Sequence, residues 1–213
     1  MASTELTEIE YPDSDGKPMA ESDQTRDSLI YAVKVLRIYF QNRQDVYVSG
    51  NLFIYYEQGN PAAVVAPDVF VVLGINKQNR RSYKVWEEGK TPDFVLEITS
   101  KSTKKEDQNA KPNLYAALGV QEYFQYDPTG DYLKPRLQGL RLVKGSYQQM
   151  EPISPDEASL KSDVLGLELQ LRDELRFYDS ATDKILLSHE EEAQRAQRLA
   201  EKLRELGIDP NSL

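Results

Sequence analysis

Pro92-Asp93-Phe94-Val95-Leu96-Glu97-Ile98-Thr99-Ser100 is the stretch that decides the fold. Phe94 to Thr99 is nearly continuously apolar and reads as a buried strand. One residue breaks the pattern. A carboxylate inside a central strand costs on the order of several kcal/mol in desolvation unless it is paired or bound to a cation, so Glu97 needs a partner. Alternation places Asp93, Val95, Glu97 and Thr99 on one face of the strand.

Upstream, Asp68-Val-Phe-Val-Val-Leu73 reads as a second buried strand, with Asp68 opening it directly after Pro67. Two carboxylates converging from neighbouring strands form a site for a hard divalent cation, Mg²⁺ or Mn²⁺. Such an ion activates water and stabilises the charge that develops in phosphoryl transfer. Lysines follow at 101, 104, 105 and 111. Lys111 stands four residues after Asp107 and four before Tyr115. It precedes Pro112, whose ring disfavours helical geometry at the residue before it and which itself suits the first position of a helix.

Further out, Leu29, Ile30, Val33, Leu36, Arg37 and Phe40 follow helical spacing, with Asp23 or Thr25 as the cap. Residues 45–56 read as strand, broken by a turn or bulge at Ser49-Gly50-Asn51. Residues 76–92 form a polar loop in which Tyr83 to Trp86 pack locally. A loop from Ser100 runs into a helix carrying Leu114, Tyr115 and Leu118, closed by Gly119. Glu122 to Tyr126 is a strand, and Leu137–Val143 with Tyr147–Met150 a hairpin. Short alternating pieces at 167–171 and 176–178 lead to a charged helix from about Ser188 to Leu206. Helix, strands, helix, strand implies a mixed sheet with a crossover connection, hence an α/β (α+β) fold. The organisation expected is an arm over 1–20, a core over 21–155 and an extension over 156–213.

Composition narrows the chemistry. The 213 residues include no cysteine and one histidine, His189. Disulfides, thiolate sites, two-histidine zinc sites and cysteine nucleophiles are thereby excluded. The N-terminus is acidic, unlike a signal peptide, and no apolar run approaches a membrane span, so a cytoplasmic protein is expected. The net charge of −9 is uneven: residues 1–30 and 156–213 each carry −6, while 77–111 carry +3. Nucleic-acid binding is permitted locally, in the middle of the chain.

Several blocks together are similar to the Uma2 family of restriction-endonuclease-like proteins, of cyanobacterial type, within the PD-(D/E)XK nuclease superfamily. They are Ala66-Pro-Asp68, Pro92 to Thr103, and Asp107-x₃-Lys111-x₃-Tyr115-x₃-Gly119-Val-x-Glu122-Tyr-Phe. The opening Tyr11-Pro-Asp-Ser-Asp-Gly-Lys-Pro-Met and the tail Lys202-Leu-Arg-Glu-Leu-Gly-Ile-Asp-Pro resemble the family too. The resemblance implies an α-β-β-β-α-β nuclease core and Mg²⁺- or Mn²⁺-dependent hydrolysis of DNA phosphodiesters. Asp68 and Glu97 would be the metal ligands. Thr99 holds the place of the motif's lysine, and Lys111 on the following helix would substitute. Glu21 resembles an acidic helper found near the first helix of some superfamily members, and Thr99 is a second helper candidate. Lys101, Lys104 and Lys105 would contact phosphate, and a duplex-cutting enzyme would work as a homodimer.

Blander readings stand beside these. Asp68 could cap a turn, Glu97 could pair with a lysine or arginine, and Asp93 fits a turn after Pro92. Thr99 and Ser100 could end a strand. Lysines 101, 104 and 105 could be solvated, and Tyr115, Tyr123 and Tyr126 suit the core. His189 fits a helix start. Two other functions are compatible: a non-catalytic binding or assembly protein that keeps the nuclease fold, and a metal-dependent hydrolase of smaller phosphate esters.

Overall fold

The computed structural model describes residues 9–14, 16, 22–154 and 158–210. In chain order they form α1 (Asp23–Tyr39), β1 (Val46–Ser49), β2 (Ile54–Tyr55), β3 (Val64–Val65), β4 (Val69–Leu73), β5 (Tyr83–Lys84) and α2 (Val85–Glu88). Then come β6 (Phe94–Ile98), a π turn (Glu106–Ala110), α3 (Lys111–Ala117), β7 (Glu122–Tyr126), β8 (Leu137–Val143) and β9 (Ser146–Gln149). The last elements are β10 (Ser159–Ser162), β11 (Leu167–Leu171), β12 (Leu175–Asp179), β13 (Lys184–Ile185) and α4 (His189–Glu205).

A six-stranded sheet in the order β1-β4-β6-β7-β8-β9 is the centre of the molecule. Its β6 and β7 run parallel while its other neighbouring strands run antiparallel. A parallel pair needs a crossover, and the π turn with α3 supplies it. The expected mixed α+β architecture is what the chain adopts.

Alternation sorts the two faces. Val69, Val71, Phe94, Leu96 and Phe124 face α1, and β10–β12 join this core through Leu160, Leu167, Leu169, Leu175 and Phe177. Phe70, Val72, Val95 and Tyr123 face the other way, towards Ile54 of β2, Tyr83 of β5 and Tyr115 of α3. Both central strands are therefore buried on both sides, which explains their continuous apolar sequence.

Helix α1 differs from expectation in two ways. Its N-cap is Ser22, whose Oγ accepts from the Thr25 backbone N–H at 3.2 Å, rather than Asp23 or Thr25. Its buried stripe is Tyr31, Ala32, Val35, Leu36 and Phe40, while Ile30 is 40% exposed and Arg37 lies outside. The cause is a long-range contact. Tyr31 donates to the Leu186 carbonyl at 2.8 Å, accepts from the Phe177 N–H at 3.2 Å, and stacks on the Phe177 ring.

Local signals set several other ends. Helix α3 stops in a Schellman arrangement, with Val120 N–H on Tyr115 C=O, Gly119 N–H on Ala116 C=O, and Gly119 at φ 80°. Lys144 and Gly145, both left-handed, turn β8 into β9. Tyr83 and Lys84 pair with β2 before Val85 starts one helical turn. Ser188 and Glu191 form a capping box at the start of α4. Among the described residues no helix is long and apolar enough to cross a membrane.

Candidate active site

The antiparallel register pairs Val69 with Leu96, so Asp68, one residue earlier, stands opposite Glu97 on the face covered by α3. There Asp68 Oδ2 accepts the Ile98 backbone N–H at 2.7 Å and continues the bonding between β4 and β6 past the end of β4. The chain at Gly50 comes very close on the other side. A Cβ on Gly50 would sit 2.1 Å from the Asp68 carbonyl oxygen and 2.8 Å from Val33 Cγ2. Glycine at the break after β1 is thus what lets the backbone seat Asp68.

Glu97 is buried, 1% exposed. Its Oε1 accepts from the Tyr115 hydroxyl at 2.8 Å, and its Oε2 lies 2.9 Å from Lys111 Nζ. The same ammonium is 2.8 Å from Asp107 Oδ1. Asp107, Lys111 and Tyr115, four residues apart, deliver these three groups from one side of the crossover helix. Asp107 is fully buried, and its backbone carbonyl accepts from the Tyr123 hydroxyl at 2.8 Å and from Gln125 Nε2. Both of its carboxylate oxygens and the Thr99 hydroxyl are buried without a hydrogen-bond partner among the described residues, Oδ1 meeting Lys111 as an ion pair only.

The backbone at Lys111 overturns one expectation. Lys111 is helical (φ −63°, ψ −44°) even though Pro112 follows. Pro112 has no N–H for an α-type bond and its ring crowds the carbonyl four residues back. The preceding turn is instead widened to π spacing, Lys111 N–H bonding to Glu106 C=O, which accommodates the ring. Lys111 therefore stays on the helix and aims inward.

Two buried acids, Glu97 and Asp107, share one lysine. Burial raises the Glu97 pKa above the ordinary carboxyl value, Lys111 works against that rise, and Asp107 adds to it. Burial works to lower the Lys111 pKa, but Glu97 and Asp107 more than offset it, so the ammonium is held above its ordinary range. The Tyr115 hydroxyl is raised by burial and by the Glu97 charge, and so stays a donor.

Of the residues expected to act, Asp68, Glu97 and Lys111 come together. Thr99 is buried just past β6, its N–H on the Tyr126 carbonyl at 2.7 Å. Lys101 and Lys105 are exposed beyond the strand end, and Lys104 sits with its Nζ 5.6 Å from the centre of the Tyr132 ring. Glu21 lies outside the described residues. Asp93 is tied to the Leu73 N–H at 2.7 Å, to Lys90 at 3.0 Å and to Gln121 at 2.8 Å, which makes it a strand-end fastener. Asp107, Tyr115, Tyr123 and Gln125 were not among the expected site residues. The signal for the first two was the fourfold spacing around Lys111; Gln125, between Phe124 and Tyr126, carried a weaker one.

The donor chemistry fits a hard cation. Asp68 and Glu97 offer carboxylate oxygens from facing positions, and each carboxylate oxygen can accept more than one partner. Among the described residues no group of three or more His, Cys, Asp or Glu is gathered to hold a metal ion. Two carboxylates suffice for Mg²⁺, which keeps several of its waters.

Comparison with known proteins adds a fold and a family. A crystal structure described as "a putative nuclease belonging to DUF820" from Anabaena variabilis superposes with a TM-score of 0.54 at 16% identity, covering 74% of this chain and 82% of that one. At that identity the likeness is one of fold. No curated protein matches the sequence. The family model for Uma2, described as "Putative restriction endonuclease", matches residues 3–172, a span that holds Asp68, Glu97, Asp107, Lys111 and the whole central sheet, and the chain belongs to that family.

Proposed function

We propose that this protein is a divalent-metal-dependent endonuclease that hydrolyses DNA phosphodiester bonds. One observation carries the reading: Asp68 and Glu97 face each other across β4 and β6, with the Lys111 ammonium against Glu97. Family membership and the nuclease description of the structural neighbour support it.

Asp68 and Glu97 would hold Mg²⁺ or Mn²⁺. When bound, the ion supplies an activated water and positive charge against the phosphate oxygens. Lys111 enters as a cation, because its carboxylate partners keep the proton on it. It therefore acts as a hydrogen-bond donor and a positive charge rather than as a base. An ammonium has three N–H bonds, more than its two ion-pair partners, Glu97 and Asp107, require. One of them can orient water or a phosphate oxygen. Tyr115 fixes the Glu97 carboxylate from the other side. Thr99 and the lysines at 101, 104 and 105 stand further along the same strand exit, where a DNA backbone would pass.

The test is nicking and linearisation of supercoiled plasmid with Mg²⁺ or Mn²⁺ and with chelator. The native protein is compared with Asp68→Asn, Glu97→Gln and Lys111→Gln, each checked for folding. Metal-dependent cleavage lost in the variants supports the reading. A native protein inert on duplex and single-stranded DNA with both metals overturns it in favour of a non-catalytic nuclease fold. Cleavage that survives in all three variants overturns the site assignment.

A further inference from the structure

Lys111 has two carboxylates where one would neutralise it. The two ion pairs are of equal length within 0.1 Å, 2.9 Å to Glu97 and 2.8 Å to Asp107, so the ammonium sits midway between them. The two acids are not equivalent. Glu97 lies opposite Asp68 on the neighbouring strand and carries the Tyr115 bond, whereas Asp107 stands on the crossover helix with Lys111 as its ion-pair partner. Asp107 is fully buried, yet neither carboxylate oxygen has a hydrogen-bond partner among the described residues, and only Oδ1 has the lysine's ion pair. A buried carboxylate oxygen left without a donor is costly and calls for an explanation. Its backbone is fixed independently of the lysine, through Tyr123 and Gln125 on β7.

We infer that Lys111 is a resident counter-ion that competes with the divalent cation for Glu97, and that Asp107 is the positioning residue that retains the lysine when Glu97 turns to the metal. This rests on the metal site proposed above. An ammonium and a divalent cation on one carboxylate repel each other, so the ion binds Glu97 more favourably once the lysine has moved off it. The lysine stem has rotatable bonds and its ammonium no fixed orientation, so a small shift moves it wholly onto Asp107. The vacant Oδ2 is the acceptor waiting for that shift. Asp107 thus keeps a positive charge beside the site in both states and lowers the barrier to loading it.

The experiment is calorimetric titration of Mn²⁺ into the full chain, without DNA. Asp107→Asn is expected to weaken binding about fivefold, because Glu97 becomes the lysine's only carboxylate. Combining Asp107→Asn with Lys111→Met is expected to reverse the sign and bind about tenfold tighter than native, because the competing cation is gone. The double variant removes a buried charge of each sign, so it folds more readily than Lys111→Met alone. A merely structural role for Asp107 would weaken binding in both variants. Equal or weaker binding by the double variant, with native binding abolished by Glu97→Gln, overturns this inference and leaves the metal site standing. Absence of Mn²⁺ binding from native and double variant alike overturns both.

Discussion

Glu97 and Glu122 lie on adjacent parallel strands, each 1% exposed, and their surroundings could hardly differ more. Glu122 pairs with Phe94 in the register and faces α1 and the second sheet. Its Oε1 accepts from Arg141 Nη2 at 3.0 Å and from the Asp163 N–H at 2.9 Å, and its Oε2 accepts from the Ser162 hydroxyl. It has a backbone donor and a side-chain donor besides Arg141, whose other acid partner, Asp163 at 3.0 Å, is exposed. Glu97 shares its cation with a second acid that is itself buried. A carboxylate fully supplied with donors fastens two layers of the fold. One that shares its single cation with another buried acid has the perturbed surroundings expected of a functional group.

Paired substitutions sharpen this contrast. Glu97→Gln should cut metal-dependent cleavage by about a hundred- to a thousandfold. Thermal unfolding of the same variant should change by no more than about 1 kcal/mol, because Asp107 and Lys111 remain as a neutral pair. Glu122→Gln should do the reverse, losing about 3 kcal/mol by removing one partner of a buried pair. Its cleavage per folded molecule should be unchanged. Equal stability losses in the two variants would erase the distinction between them.

Gly50→Ala reaches the site through the backbone. Its Cβ would lie 2.1 Å from the Asp68 carbonyl, so the strand must shift, at a cost of about 2 kcal/mol, and Asp68 moves with it. Cleavage should fall more than the stability loss accounts for. Tyr115→Phe should cost about 1 kcal/mol and slow cleavage about tenfold, since Glu97 loses its second donor. A pH series makes the smallest claim. The folded-state pKa of Lys111 lies above its ordinary 10.5, so its contribution to stability is fully present below 10.5 and is lost as pH rises through the folded value. Measured without metal, the stability difference between native and Lys111→Met should stay level up to about pH 10 and narrow only above it. Narrowing near pH 8 would mean that the two carboxylates do not hold the lysine as described.

Much of this was written locally. The runs at 68–73 and 94–99, each with one misplaced carboxylate, were enough to name Asp68 and Glu97. The family resemblance, in which Thr99 holds the place of the motif's lysine, directed attention to Lys111. Gly119 and the Lys144-Gly145 turn had the backbone chemistry their positions required. Asp107 was legible only as a spacing, because nothing local distinguishes a buried acid from a solvated one on a charged segment.

What the sequence determined by itself, then, was the alternation that puts Asp68 and Glu97 on a buried face and the periodicity that makes a crossover helix between β6 and β7. Those depend on neighbours a few residues apart. Tertiary structure alone decided which face of α1 is buried, because Tyr31 answers to Phe177 and Leu186 far along the chain. It also decided that Lys111 faces inward despite Pro112, through a widened turn, and that Asp107 is its second partner. Both follow from the way β7 fixes the crossover helix: Tyr123 and Gln125 bind the Asp107 carbonyl, and a bond across sixteen or eighteen residues leaves no periodic trace in sequence.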